Sequence, residues 1–161
     1  VPSGSLEAGA LGPIVLGSPR RRVRAILTRF RHEGANFDAY CLSGGPGIRV
    51  GYANARFVRS LPRRLRRSLA GRAVLAMTAN PAYTLHGVSA GITLRTARRR
   101  LGGRLQGPYA VGPHRWFAQR DGSLLLLLKT EHGRVLEIGV AQLRVARTRG
   151  EQRNLLRDLG A

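Results

Sequence analysis

The segment from His114 to Val140 most narrowly limits what this chain can fold into. His114–Gln119, Ser123–Thr130 and Arg134–Val140 are strand-like stretches separated by Asp121-Gly122 and His132-Gly133. Asp-Gly supplies the positive φ angles that a tight hairpin demands, so three consecutive antiparallel strands are expected. No apolar stretch is longer than the five residues Leu124 to Leu128. That run has the length of a strand and falls far short of the roughly 18 apolar residues of a membrane helix. After this meander comes a capping box, Thr148-x-x-Glu151, then Leu155, Leu156 and Leu159 at helical spacing, with Gly160 as the stop. A C-terminal helix is therefore expected to dock on the sheet.

The earlier part of the chain mixes helix and strand signals. Ser18 is a suitable N-cap and Pro19 suits the first helical position, while Val23, Ile26, Leu27 and Phe30 recur at helical spacing. Arg20, Arg21, Arg22, Arg24 and Arg31 take the other faces of that helix. Phe37–Leu42 and Ile48–Tyr52 flank Ser43-Gly44-Gly45-Pro46-Gly47, which reads as a hairpin. Ser60 opens a second helix through Leu61, Leu65 and Leu69, and Gly71 ends it before a strand at Arg72–Thr78. Thr93 caps a short helix with the stripe Leu94, Ala97, Leu101, closed by Gly102-Gly103.

These elements suggest a duplication. Ile14 to Leu27 lies over Val88 to Leu101 at a constant offset of 74, and Gly71–Thr78 resembles Gly133–Val140 at an offset of 62. The expected fold is α+β, with two degenerate helix-plus-antiparallel-meander repeats forming one sheet and the helices packed on one face. Residues 1–12 are small and Gly-rich and read as a flexible arm. The first repeat would span 13–80, and the second 81–161 including the C-terminal helix.

The second copy resembles the small outer-membrane-assembly lipoprotein (SmpA/OmlA) unit through Gly91, Leu94, Ala97, Leu101, Gly102, Trp116 and Gly133-Arg134-Val135. Two such units in tandem look like the β-lactamase-inhibitory-protein fold, in which helices cover one face of a continuous antiparallel sheet. The resemblance covers roughly residues 12 to 145 and implies a fold without a partner. The chain departs from that inhibitor in lacking its loop cysteines and in being strongly basic. Tyr40-Cys41-Leu42-Ser43-Gly44-Gly45 is also similar to a stretch in Arg-rich secreted proteins of actinobacteria.

No catalytic constellation emerges. His32, His86, His114 and His132 are scattered without metal-ligand spacing, and Cys41 is the only cysteine, so neither a metal site nor an intrachain disulfide is expected. Cys41 reads as a small buried hydrophobe on a strand rather than a thiol nucleophile. Ser43 lacks the preceding glycine of a nucleophile elbow, because Cys41 occupies that place. The glycines from Gly45 to Gly51 sit between strands with no helix after them, so a turn accounts for them better than a phosphate cradle. Among the eight acidic residues, Glu7, Glu151 and Asp121 have arm, cap and turn roles, and Asp38, Glu131 and Glu137 are candidates as acids or as partners for arginine. The expectation is a non-enzymatic protein without cofactor or metal.

Charge is the remaining functional signal. The 161 residues carry 28 basic and 8 acidic side chains, a net charge of +20, and every basic residue except Lys129 is arginine. The arginines gather on the expected helices, and Arg20, Arg21, Arg24, Arg63, Arg64, Arg66, Arg67, Arg98, Arg99 and Arg100 are the candidates for a polyanion surface. Tyr40, Tyr52, Trp116 and Phe117 would be protein-binding aromatics if one sheet face were open, with Trp116 otherwise a buried anchor. The chain opens Val1-Pro2-Ser3 with no initiating methionine, which reads as a processed product or an excised segment of a longer precursor, and a removed signal peptide and a domain cut from a larger protein fit equally. A secreted or envelope-associated binding module for a protein or anionic polymer is the leading expectation. A cytoplasmic nucleic-acid-binding protein using the Arg-rich helices is the alternative.

Overall fold

The computed structural model describes residues 10–11, 13–27, 30–42 and 45–160. In chain order the elements are β1 (Ala10–Leu11), β2 (Ile14–Val15), α1 (Arg20–Ile26), β3 (Phe30–Glu33), β4 (Phe37–Leu42) and β5 (Gly45–Tyr52). Next come α2 (Ala55–Ser60), α3 (Arg63–Leu69), β6 (Ala73–Thr78), α4 (Leu94–Arg100), β7 (Gln106–Val111) and β8 (His114–Asp121). The chain ends with β9 (Leu124–Glu131), β10 (Arg134–Gln142), a 3-10 turn at Leu143–Val145 and α5 (Arg149–Leu159). Strands β3 to β10 make one antiparallel sheet of eight strands, ordered β3-β4-β5-β6-β10-β9-β8-β7. Each meander thus runs inward from an edge, and β6 and β10 meet at the centre, with Met77 opposite Gly139.

The expected β8–β9–β10 meander is present, with Gly122 and Gly133 at positive φ in its turns. The capping box is also formed: Thr148 accepts from the Glu151 amide and Glu151 reaches back to the Thr148 amide. Elsewhere local chemistry shifts the boundaries. The first helix is capped at Pro19 rather than Ser18 and ends at Ile26, and Phe30 belongs to a strand. The helix expected from Ser60 begins later, as α3 capped at Pro62, and a further helix, α2, that the sequence reading did not include ends at Ser60 just before it. Of the expected arm, Ala10–Leu11 pairs with Ile14–Val15, and residues 1–9 and 12 lie outside the described residues. Ser43 and Gly44 of the expected hairpin turn lie outside them as well.

The expectation that all helices share one face is corrected. Val23 of α1, Ala97 of α4 and its capping residue Leu101 pack with Tyr40, Ile48, Val50, Phe117, Leu126 and Leu128 on one side. Phe57 of α2, Leu61, Leu69 of α3 and Leu155, Leu156 and Leu159 of α5 pack with Met77, Trp116, Leu125 and Leu127 on the other. Successive strand residues point to opposite faces, so the run Leu124–Leu128 supplies both cores, and all five leucines are buried. A continuous apolar run in a strand is the mark of a sheet covered on both sides, and it outweighs the one-face arrangement.

Two backbone latches hold α1 and α4 at the ends of the central strands. Gly17 donates to the Ala73 carbonyl at 2.6 Å, Arg20 to Gly71 at 3.3 Å, and Ala73 returns a bond to Ser18 at 2.9 Å. Gly91 donates to Val135 at 2.8 Å, Leu94 to Gly133 at 2.8 Å, and Val135 returns a bond to Ile92 at 2.9 Å. Arg72 closes the first latch on the Gly17 carbonyl at 2.8 Å, and Arg134 closes the second on Gly91 at 3.1 Å. Gly17 and Gly91 have φ of 91° and 94°, which a side chain would strain. Beyond the latches, β6 carries an extra residue at Val74 against β5, and β10 carries one at Leu136 against β9.

Candidate functional site

The buried and nearly buried described carboxylates, Asp38, Glu137 and Asp158, are each paired with basic side chains of the same chain. Asp38 is fully buried on β4, where it accepts Arg20 Nε at 3.0 Å and Arg24 Nε and Nη2 at 2.9 Å each. A second Arg20 nitrogen, Nη2, and the Tyr40 hydroxyl, 3.0 Å away, complete its shell. Helix periodicity makes this possible, since residues four apart project from one side of α1. Burial alone would raise the Asp38 pKa, but hydrogen bonds from Arg20, Arg24 and Tyr40 outweigh it and hold the carboxyl below the usual range. Tyr40 and Tyr52 lie 3.2 Å apart, oxygen to oxygen, behind this cluster, and the Arg20 guanidinium lies 4.8 Å from the Tyr52 ring centroid.

A second cluster crosses the other face of the sheet. Arg49 of β5 grips Glu137 of β10 through two bonds of 3.0 and 2.8 Å, and Lys129 of β9 lies 3.2 Å from the same carboxylate. Burial pushes the Glu137 pKa up, yet Arg49 and Lys129 pull it further down. The Lys129 ammonium also lies 5.6 Å from the ring centroid of Trp116. Asp158 pairs with Arg157 and Arg56, Asp121 with His86, and Glu33 with Arg24. Glu131 lies 3.8 Å from His114 and 3.9 Å from His132, and Glu151 serves the α5 cap.

The arginines singled out by the sequence therefore divide by role. Arg20 and Arg24 are half-buried and hold Asp38. Arg66 spends its guanidinium on the carbonyls of Leu61 and Arg59, both at 2.9 Å, tying α3 to α2. Arg98 stacks 4.9 Å from the Phe117 centroid, and Arg100 bonds the Gly87 carbonyl. Arg21, Arg63, Arg64, Arg67 and Arg99 are exposed, and no ion pair engages them among the described residues. Because α1 and α4 cover one face and α2, α3 and α5 the other, these residues form separate cationic areas instead of one broad surface.

The aromatic candidates are core residues. Tyr40, Tyr52, Trp116 and Phe117 are all at most 3% exposed, since helices occupy both faces of the sheet. Cys41 goes the other way: it is exposed on β4 instead of buried, because its strand position faces away from Tyr40 and Leu42 at the sheet's margin. It forms no hydrogen bond among the described residues. No group of three His, Cys, Asp or Glu side chains comes together among the described residues. No described helix is long and apolar enough to cross a membrane.

With this geometry in hand, comparison with known proteins adds one point. No family model matches the chain, and no curated protein does. Among solved structures it is similar to a DUF4309 family protein (YjgB) from Bacillus subtilis, at 15% identity and a TM-score of 0.55, covering 84% of this chain and 85% of that one. What is shared is the fold. An extracellular protein containing a SCP domain from Bacillus anthracis also matches, at 8% identity and a TM-score of 0.46, over 88% of this chain and 46% of that one. No outer-membrane-assembly lipoprotein or β-lactamase inhibitor is among these matches. Short helix, glycine and hairpin signals recur across many sheets, which is why that resemblance did not discriminate.

Proposed function

We propose that this chain is a non-enzymatic, strongly cationic binding module, located outside the cytoplasm or at the cell envelope, that acts through its exposed arginines. The observation that carries the reading is the internal pairing of the buried and nearly buried carboxylates. Asp38 and Glu137 neutralise half-buried or buried cations and Asp158 pairs with Arg56 and Arg157, while Arg63, Arg64, Arg67, Arg95, Arg99 and Arg115 face solvent and form no ion pair among the described residues. An unneutralised arginine surface attracts anionic partners and accelerates their encounter. The same carboxylates argue against acid–base catalysis, which needs a carboxyl raised toward neutrality, whereas Asp38 and Glu137 are held low by arginine.

We infer as well that the module arose by tandem duplication. The latch residues correspond at the offsets 74 and 62 read from the sequence, and the extra residues Val74 and Leu136 stand at the second of these offsets. Affinity for polyglutamate, measured against salt concentration beside duplex DNA, tests the binding reading. Tighter binding to polyglutamate supports a protein or cell-envelope polymer as partner. Tighter, steeply salt-dependent binding to DNA would favour the nucleic-acid alternative, and cell fractionation of the source organism would then decide the compartment.

A further inference from the structure

Helices α1 and α4 enter the sheet through matching latches and pack on the same face, yet they meet opposite chemistry. Asp38 lies opposite Val50, and Val50 opposite Ala76. Phe117 lies opposite Leu128, and Leu128 opposite Ile138. Ala76 and Ile138 stand 62 residues apart, the offset of the two latches, so Phe117 holds on β8 the place that Asp38 holds on β4. By the helix offset of 74, Arg24 corresponds to Arg98 and Arg20 to Leu94. In the first half a buried carboxylate neutralises both helix arginines. In the second half the arginine remains, stacked 4.9 Å from Phe117, and the carboxylate is missing.

Two adjoining depressions of about 690 and 590 Å³ open at this place, sharing Leu94 and Gly133. Leu94, Pro113 and Phe117 give them an apolar lining, and Arg95, Arg98 and Arg115 give them charge. No described carboxylate forms an ion pair with any of these three arginines.

We propose that this groove binds an acidic peptide segment of a partner protein. Phe117 fills the place that Asp38 fills beside Arg24, so a partner carboxylate pairs with Arg98 from the solvent side, and neighbouring apolar side chains cover Leu94 and Pro113. A phosphate polymer satisfies the arginines but leaves the apolar lining wet. Glu131 also lines the groove and opposes any anion beside it, so the apolar lining is what favours a peptide over a phosphate polymer. The proposal rests on the cationic-module reading and names its partner and its site.

The test uses the full chain labelled with nitrogen-15 and the probe peptide acetyl-Glu-Glu-Phe-Glu-Leu-Glu-amide. Amide shifts are expected to map to Leu94, Arg98, Arg115 and Phe117. Arg98→Gln and Arg115→Gln should each weaken binding by about tenfold, the effect of losing one charge-assisted hydrogen bond. Arg63→Gln, on the opposite face, should leave affinity unchanged. Arg115 is exposed and outside both cores, so that variant keeps its thermal midpoint and remains informative even where Arg98→Gln loosens α4. A peptide with glutamine for glutamate should not bind. Equal weakening by Arg63→Gln, or equal affinity for tripolyphosphate or an all-glutamate peptide, would overturn the groove. If anionic probes bind elsewhere, the groove fails and the cationic-module reading stands, whereas binding by no anionic probe removes both.

Discussion

Replacing Asp38 by asparagine probes the pairing of buried carboxylates with basic side chains inside this protein. Asparagine matches aspartate in volume but turns one of the two acceptor oxygens into a donor facing guanidinium groups. Asp38 receives bonds from Arg20, Arg24 and Tyr40, and it is fully buried while the arginine side chains are 26% and 32% exposed. Breaking a buried ion pair by removing one partner costs about 3 to 5 kcal/mol. Half-exposed arginines regain water, so the lower end applies, about 3 kcal/mol, or about 6 to 12 °C in thermal midpoint for a chain of this size. The Asp38 pKa is lower folded than unfolded, so its stabilisation is fully present above the unfolded value near about 3.9 and is lost as pH falls toward the folded value. Urea unfolding of both proteins should therefore show the gap between them shrinking by about 1 kcal/mol between about pH 7 and pH 3. A gap under about 1 kcal/mol at neutral pH, or one that widens in acid, would refute the reasoning.

Other expectations follow from the latches and the core. Gly17→Ala and Gly91→Ala should each destabilise by about 1 to 2 kcal/mol in chemical denaturation, from left-handed backbone strain, and similar costs at the two sites would support equivalent latches. Tyr83 is fully buried and its hydroxyl has no hydrogen-bond partner among the described residues. Tyr83→Phe should thus leave stability unchanged or raise it, and a loss of more than about 1 kcal/mol would mean that the hydroxyl is bonded.

Much of the framework was legible in local chemistry. Asp121-Gly122 and His132-Gly133 mark the meander because turn geometry is set by adjacent residues, and Thr148 with Glu151 marks α5 for the same reason. The offsets 74 and 62 pick out the latch residues, since Gly17 and Gly91 are glycines for a backbone reason visible in sequence. Strands β3 and β7 were not legible, because edge strands bury little and β7 contains Gly107-Pro108. The covering of both faces was present in the run Leu124–Leu128, but a short apolar run does not say which helices supply each cover. Asp38 was readable as a partner for arginine. Which arginines it would take depends on the packing of α1 against β4, a contact between elements that periodicity does not fix. The exposure of Cys41 likewise depends on how far the helices extend over β4.

The central claim is that exposed arginines, left unneutralised by internally committed carboxylates, form the binding surface. Its most direct measurement is the salt dependence of polyglutamate affinity in the wild type, in an Arg63→Gln, Arg64→Gln, Arg67→Gln variant and in an Arg95→Gln, Arg98→Gln, Arg115→Gln variant. The account predicts a steep fall in wild-type affinity with salt, and a slope reduced by about one for each arginine that contacts the polymer, with the larger reduction in the second variant. Salt-insensitive binding, or slopes identical in all three proteins, would contradict it.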